Sequence, residues 1–247
     1  MTATHPPLSS WQGRALVVGS GGIGAGLLRA LSTRAPALEL VATTRRQPPP
    51  GEEVRWLRLD VTCDTSLDRL GRELAQGPPL RLVINTVGLL HGPELQPEKR
   101  LAQLRRSALE RSFAVNAFAP VLLAQALEAA LSRQSPFHFA SLSARVGSIG
   151  DNGLGGWYSY RAAKAAQNQL LRTLALEWRR RYPLACVSLL HPGTTATALS
   201  APFQANVPAG SLFSPGRAAH HLLDVLEGLG PEQSGGFWAW NGERIPW

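Results

Sequence analysis

The sequence predicts an α/β fold: one doubly wound parallel β-sheet flanked by helices, occupying residues 13–247 behind a short lead at 1–12. Three observations predict it. Short apolar runs alternate with longer helical patterns along the whole chain. A glycine turn stands directly after the first of those runs. Polar and glycine-bearing residues cluster just past the ends of the runs, where open α/β sheets gather their ligands.

The first run, Arg14–Val18, reads as a strand, and Gly19-Ser20-Gly21-Gly22-Ile23-Gly24 follows it. Gly19, Gly21 and Gly24 fit the spacing G-x-G-x-x-G, and a helical apolar pattern begins near Ile23. Such glycines serve a tight turn and a close backbone approach. The free N–H groups at the helix start then suit a pyrophosphate. A glycine turn can be purely structural, but its place after the first strand favours dinucleotide binding.

Leu38–Thr44 reads as the second strand. Thr43 and Thr44 precede Arg45 and Arg46 at its end, where an acidic residue would select the ribose hydroxyl of NAD. Guanidinium groups there favour the 2′-phosphate of NADP(H) over NAD(H), the alternative being a solvated turn. Pro48–Gly51 is a stiff surface loop. Val54–Leu59 is the third strand, with Asp60 and Val61 at its carboxyl end. A helix through Leu67–Ala75 and a strand at Leu80–Ile84 lead to Asn85-Thr86-Val87-Gly88 at the crevice.

Glu98–Leu131 is read as one long helical region with Asn116 at its centre, either self-satisfied or functional. Phe137–Ser143 is the fifth strand, a helix runs over Tyr158–Arg181, and Leu184–Leu190 is the sixth strand. His191–Thr197 follows, then a helix at Pro215–Leu226 and a last strand at Gly236–Trp240. Inside the alanine-rich helix, Tyr160 and Lys164 stand four apart and so share one face. A cation beside a phenol favours the phenolate and lowers its pKa, which equips a tyrosine for acid–base work on an alcohol or carbonyl. Lys164 and Lys99 are the two lysines in a chain whose positive charge is otherwise arginine.

Composition narrows the partners. The net charge of +8 comes from scattered arginines with no basic stripe interleaved with aromatics, so no nucleic-acid partner is expected. Cys63 and Cys186 are too few and too far apart for a disulfide framework, and no spacing suggests a metal site. The N-terminal residues lack the pattern of a signal peptide. No uninterrupted apolar run reaches the ~18 residues of a membrane span, so a cytoplasmic protein with no membrane partner is expected.

Together these residues make the chain resemble a short-chain dehydrogenase/reductase over essentially its whole length. It is most similar to the C-factor-like branch, through Ser143-Ala-Arg-Val-Gly-Ser-Ile149 and Gly155-Gly-Trp-Tyr-Ser-Tyr-Arg-Ala-Ala-Lys164. The resemblance implies a Rossmann-type sheet and hydride transfer between NADP(H) and a small-molecule carbonyl or secondary alcohol. It implies Tyr160 as the acid/base, Lys164 as the residue that contacts the nicotinamide ribose and lowers the tyrosine pKa, and Asn116 as the helix asparagine of a catalytic tetrad. It places the cofactor on Gly19–Gly24, Asp60, Val61, Asn85–Gly88, Pro192, Gly193, Thr195 and Thr197, besides Thr44, Arg45 and Arg46. For the catalytic serine it offers Ser143 first and Ser141 next, because Ala144 stands where the family's second serine falls.

Two further departures stand out. The glycine loop is one residue shorter than the family's and lacks its threonine, and the stretch around Asp151–Gly156 is longer. An alternative implied function is a nucleotide-binding sensor or signalling protein with little turnover. A homodimer or homotetramer is expected from apolar residues on the two long helices, including Leu122, Leu123, Leu170, Leu171, Leu174 and Trp178. Trp157, Phe203, Phe213 and Trp240 either line a pocket for an apolar carbonyl compound or belong to the core.

Overall fold

The computed structural model describes residues 7–48 and 53–247. The first half of the lead and most of the proline loop, Pro49–Gly51, lie outside the described residues. Strands and helices follow in the order β1 (Gly13–Val18), α1 (Gly22–Arg34), β2 (Leu38–Thr44), β3 (Arg55–Arg58), α2 (Asp64–Leu74) and β4 (Leu80–Asn85). Then come α3 (Arg106–Phe113), α4 (Ala119–Leu127), β5 (Phe137–Leu142), α5 (Tyr158–Arg181) and β6 (Ala185–His191). A small pair, β7 (Thr194–Thr195) and β8 (Leu212–Phe213), precedes α6 (Pro215–Glu227) and β9 (Gly236–Ala239).

Seven strands form one parallel sheet in the order β3-β2-β1-β4-β5-β6-β9. The chain winds outward from β1 to β3, crosses back, and winds outward again from β4. The order therefore reverses between β1 and β4, and the loops above that point diverge into a crevice. Alternation of side chains along each strand builds two cores, since every strand is covered on both faces. On one face, Leu16, Val18, Val83 and Phe139 meet Leu67 and Leu70 of α2, Leu123 of α4 and Trp178 of α5. On the other, Val17, Leu40, Ile84 and Leu190 meet Leu27 and Leu31 of α1 and Leu222 and Leu226 of α6.

The expected long helix over Glu98–Leu131 is broken in two places. Residues 98–105 are loop and a 3-10 turn, and the α-helix begins only at Arg106. At Ala114–Phe118 the helix widens into a π turn before α4 resumes. The cause is tertiary: Glu98 is buried 61 positions away from its partner Ser159, so its segment cannot wind into a helix. Taken together, Arg106–Ala130 is a helical run long and apolar enough to cross a membrane by length and composition, although 44% of its most apolar window is buried inside the fold. Trp178, Leu171 and Leu123 are core residues, whereas Leu122 stays 36% exposed beside the outward Phe118.

Candidate active site

The glycine turn has the shape its spacing implies. Gly19 holds φ +96°, a left-handed conformation that costs a glycine little. A Cβ on Gly24 would lie 2.0 Å from the Gly19 carbonyl oxygen, so the turn closes only over a bare Cα. Thr86 braces the turn by donating from its hydroxyl to the carbonyls of Val18 and Gly19 (2.9 and 3.1 Å). Gly21 caps α1 without a side-chain acceptor, which leaves the first-turn N–H groups of Gly22, Ile23 and Gly24 without intrahelical partners. The 13-residue helix carries no acidic residue in that turn, so its positive end faces the crevice. Ser20 is exposed beside it, and Thr197 closes the other side, 2.8 Å from where a Gly22 Cβ would stand. This cradle fits a pyrophosphate.

Past β2, Thr44 is buried and accepts from the Arg46 backbone N–H, while Arg45 and Arg46 are exposed. Arg45 borders two pockets. One is lined by Arg58, Asp60, Cys63, Ser66 and Arg69, and the other by Thr44, Arg46, Trp56 and Arg58. Arg58 and Arg69 thus join the two cations read from the sequence. Arg58 ends β3 in register with Thr44, a placement that strand pairing decides. Asp60 is held by the backbone and hydroxyl of Thr62, whose hydrogen bonds keep its carboxyl below the usual range. Val61 is buried beside it.

Asn85 and Asn116 are both buried and both satisfied. Asn85 accepts from the Val87 backbone and donates to the Ser141 hydroxyl. Asn116, in the π turn, accepts from the Leu89 N–H at 2.9 Å and donates to the Leu89 carbonyl at 2.7 Å. That double bond fixes the chain just past Gly88. A Cβ at Gly88 would stand 3.6 Å from Asn116 Oδ1 and 4.0 Å from Lys164 Nζ, so Gly88 separates the two.

Tyr160 and Lys164 are brought together on the buried face of α5, with Nζ 5.8 Å from the centre of the phenol ring. The expected lowering of the tyrosine pKa is not what this arrangement produces. Burial pushes the Tyr160 phenol well above its ordinary value, and burial pulls Lys164 down to about 7. The ammonium gives its protons to the Leu142 carbonyl (2.8 Å) and the Gln167 amide oxygen (2.9 Å), and desolvation outweighs its attraction for the phenol. Neither candidate serine reaches Tyr160. Ser143 donates to Asn168 Oδ1 at 2.7 Å, and Ser141 accepts from Asn85 and Gln167. Both lie on the strand side that packs against α5, two residues apart.

Above the pair, Gly155, Gly156 and Trp157 hold φ of +65°, +66° and +51° in succession. A left-handed tryptophan costs on the order of 1–2 kcal/mol, and Glu98 supplies the restraint. Its carbonyl accepts from the Trp157 N–H, and its buried carboxylate accepts from the backbone and hydroxyl of Ser159. The strained turn presents Trp157 to Tyr160 (6.2 Å between ring centres) and to Phe203 (5.0 Å), with His91 at the far edge of Phe203. The four pocket candidates therefore divide. Phe213 and Trp240 pack with His221 beneath Gly193, whose Cβ would collide with Phe213 at 2.5 Å. Pro192 and Gly193 cross that platform, Gly193 at φ +74°, Thr195 is buried, and Thr197 reaches the glycine turn.

The sequence pattern of the short chain dehydrogenase family matches residues 13–208. The chain belongs to the short-chain dehydrogenase/reductase family. It is an NAD(P)-dependent oxidoreductase of that family. The C-factor-like likeness has a counterpart in the C-signal of Myxococcus xanthus, 34% identical over 140 residues, which are 56% of this chain and 78% of that protein. The 1-hydroxy-2-glutathionyl-2-methyl-3-butene dehydrogenase of Rhodococcus sp. (strain AD45) is 31% identical over 192 residues, 76% of this chain and 78% of that enzyme. Among solved structures, NADPH-bound carbonyl reductase from chicken fatty liver has the same fold, with a TM-score of 0.81 at 24% identity, covering 96% of this chain and all of that one. Carbonyl reductase Sniffer of D. melanogaster also superposes with a TM-score of 0.81, at 22% identity and the same coverage.

Proposed function

We propose that this reductase transfers hydride between NADP(H) and a carbonyl or secondary alcohol, with Tyr160 as the proton donor and acceptor. The observation that carries the reading is the placement of Tyr160 and Lys164 on one face of α5 beside Gly88, at the crevice that also holds the glycine turn. When bound, the nicotinamide supplies the hydride. Gly19–Gly24 and Thr197 would hold its pyrophosphate, Asp60 and Val61 its adenine, and Thr86–Gly88 and Lys164 its nicotinamide ribose. Pro192, Gly193 and Thr195 would border the carboxamide. Arg45 and Arg46, with Arg58 and Arg69 behind them, favour a 2′-phosphate and hence NADP(H) over NAD(H).

The raised pKa of Tyr160 keeps its proton in place at neutral pH, ready for donation to a developing alkoxide. Lys164 then stabilises the phenolate that forms. Taken as unit charges at the 5.8 Å ring separation, that attraction amounts to about 3 kcal/mol at an effective dielectric near 20. Ser143 is the second donor to the same oxygen, exchanging its bond to Asn168 for one to substrate. Trp157 and Phe203 form an apolar wall beside the phenol and suit an apolar carbonyl compound. Two long helices with Phe118, Leu122 and Leu176 outward favour a homodimer or homotetramer, which light scattering would read.

Tyr160→Phe tests the reading. It should lower kcat/KM for NADPH-dependent carbonyl reduction at least about a thousandfold, the upper range for one acid–base group with its associated stabilisation. NADPH affinity should stay within about twofold of the parent. Parental turnover in the variant would overturn the assignment. A second reading, a nucleotide sensor with little turnover, is favoured by the Ser143–Asn168 bond and by the likeness to C-signal. NADPH binding by thermal shift, with no NADPH consumption across a carbonyl panel, would select it.

A further inference from the structure

We propose that Gln167 is a positioning residue for Lys164, tying its ammonium to the end of β5 through an uncharged acceptor. The inference rests on the reading of Tyr160 and Lys164 as the working pair. Gln167 stands one turn beyond Lys164 on the same face of α5 and is fully buried. Every hydrogen-bonding direction it uses leads back to the site. Its amide oxygen accepts from Lys164 Nζ at 2.9 Å. Its amide nitrogen donates to Ser141 Oγ at 2.8 Å and to the Leu142 carbonyl at 3.2 Å.

That arrangement admits one orientation of the amide. A flipped side chain would set its NH2 against the ammonium and lose both strand acceptors. Lys164 donates to the Leu142 carbonyl as well (2.8 Å), so the two side chains and one strand carbonyl close a ring. Ser141 is steadied in turn by Asn85 Nδ2 at 2.9 Å, and Asn85 by the Val87 N–H. The cofactor strand β4 is thereby connected to the lysine through Asn85, Ser141 and Gln167. Two of the three ammonium protons are spoken for, and the third is left for the side on which Gly88 lies.

The neutrality of the acceptor matters as much as its position. The titratable group facing Lys164 is Tyr160, on its own helix. The other elements packed around it offer uncharged groups: Leu142 and Ser141 from β5, Gly147 from the turn after β5, Gly88 after β4, and Asn116 beyond Gly88. Among the described residues no carboxylate pairs with it. The positive charge therefore stays uncancelled and is available to the phenolate and to a bound cofactor. A carboxylate in place of Gln167 would still accept from the lysine but would neutralise it and lose the two amide donations to β5. An apolar side chain would remove the acceptor, let the lysine move and disfavour its charged form.

Two variants, Gln167→Glu and Gln167→Leu, separate these effects. Because the chain holds two lysines, Lys99 and Lys164, biosynthetic 13Cε-lysine labelling gives a two-signal NMR spectrum in which Lys164 titrates directly, without any substrate. In Gln167→Glu the Lys164 midpoint should rise by at least one pH unit, and kcat/KM for carbonyl reduction should fall about tenfold or more. In Gln167→Leu the midpoint should fall, and kcat should drop at least tenfold with KM changed less than threefold. Unchanged Lys164 midpoints in both variants, with folding checked by circular dichroism, would overturn the proposal. Should Gln167→Leu fail to fold, Gln167→Glu decides alone. Midpoint shifts in the two variants, alongside a wild-type protein that reduces no carbonyl, would instead sink the enzymatic reading and leave the positioning of Lys164 standing.

Discussion

The two halves of the sheet reach the same crevice with opposite materials. From β1 to β4 the groups that would face a cofactor are backbone N–H groups, bare glycines and exposed arginines. From β5 onward the crevice is backed by buried side chains: Ser141, Lys164 and Gln167 in one hydrogen-bonded set, Ser143 and Asn168 in another, and Tyr160 beside Lys164. The difference follows from the ligand each half would meet. A pyrophosphate needs close approach and a positive field, which glycines and a helix end supply with little desolvation. Proton transfer needs shifted pKa values, and those require burial. The first half should therefore fail sterically, in one step, and the second electrostatically, by degrees.

The sharpest way to break the first half is Gly24→Ala. One methyl would stand 2.0 Å from the Gly19 carbonyl oxygen, so the turn must open. NADPH affinity should fall about a hundredfold or more, and the melting temperature by about 5 °C, consistent with about 1–3 kcal/mol of overpacking. Calorimetric titration and a thermal melt check it, and a parental affinity would show that the loop closes by another path. Next in size is the paired change Arg45→Ala with Arg46→Ala. Loss of charge-assisted bonds to a 2′-phosphate should weaken NADPH about ten- to a hundredfold. NADH should change less than about threefold, since it lacks the phosphate. Equal losses for both nucleotides would remove the arginines from cofactor choice.

The smallest effect belongs to the second half. His191, at the end of β6, is pulled down to about 4 by burial and by Arg145, and its Nδ1 is buried without a protein partner. The unfolded chain binds that proton near pH 6.5 and the fold only near 4. The contribution is therefore intact above about pH 6.5 and is lost as the pH falls toward 4, by roughly 2 kcal/mol after allowance for partial exposure. Urea melts of the parent between pH 7 and 4 should show this slope, and His191→Gln should flatten it. A slope unchanged in the variant would assign the acid lability elsewhere.

How much of this was legible follows the same division. The glycine turn, the strand ends and the i, i+4 spacing of Tyr160 and Lys164 were readable because each is set by local geometry and periodicity. The break of the 98–131 helix was not, because a glutamate reads as a helix former until a distant Ser159 draws it inward. Gln167 gave no signal either: a glutamine on a helix is ordinarily a solvated surface residue, and only the neighbouring strand turns it into a ligand for a lysine. Arg69 was hidden in the same way, an arginine on a surface helix until the pocket beside Asp60 forms around it.

Sequence alone determined the family, the sheet's two-part winding and the placement of Tyr160 and Lys164 one helical turn apart, since these are written in short-range pattern. Tertiary packing decided which hydroxyl faces which amide, how four aromatics divide between a pocket wall and a platform, and the direction in which Tyr160 and Lys164 titrate. The physical reason is that desolvation and hydrogen-bond closure depend on atoms brought from far along the chain. No local pattern encodes which of them arrive.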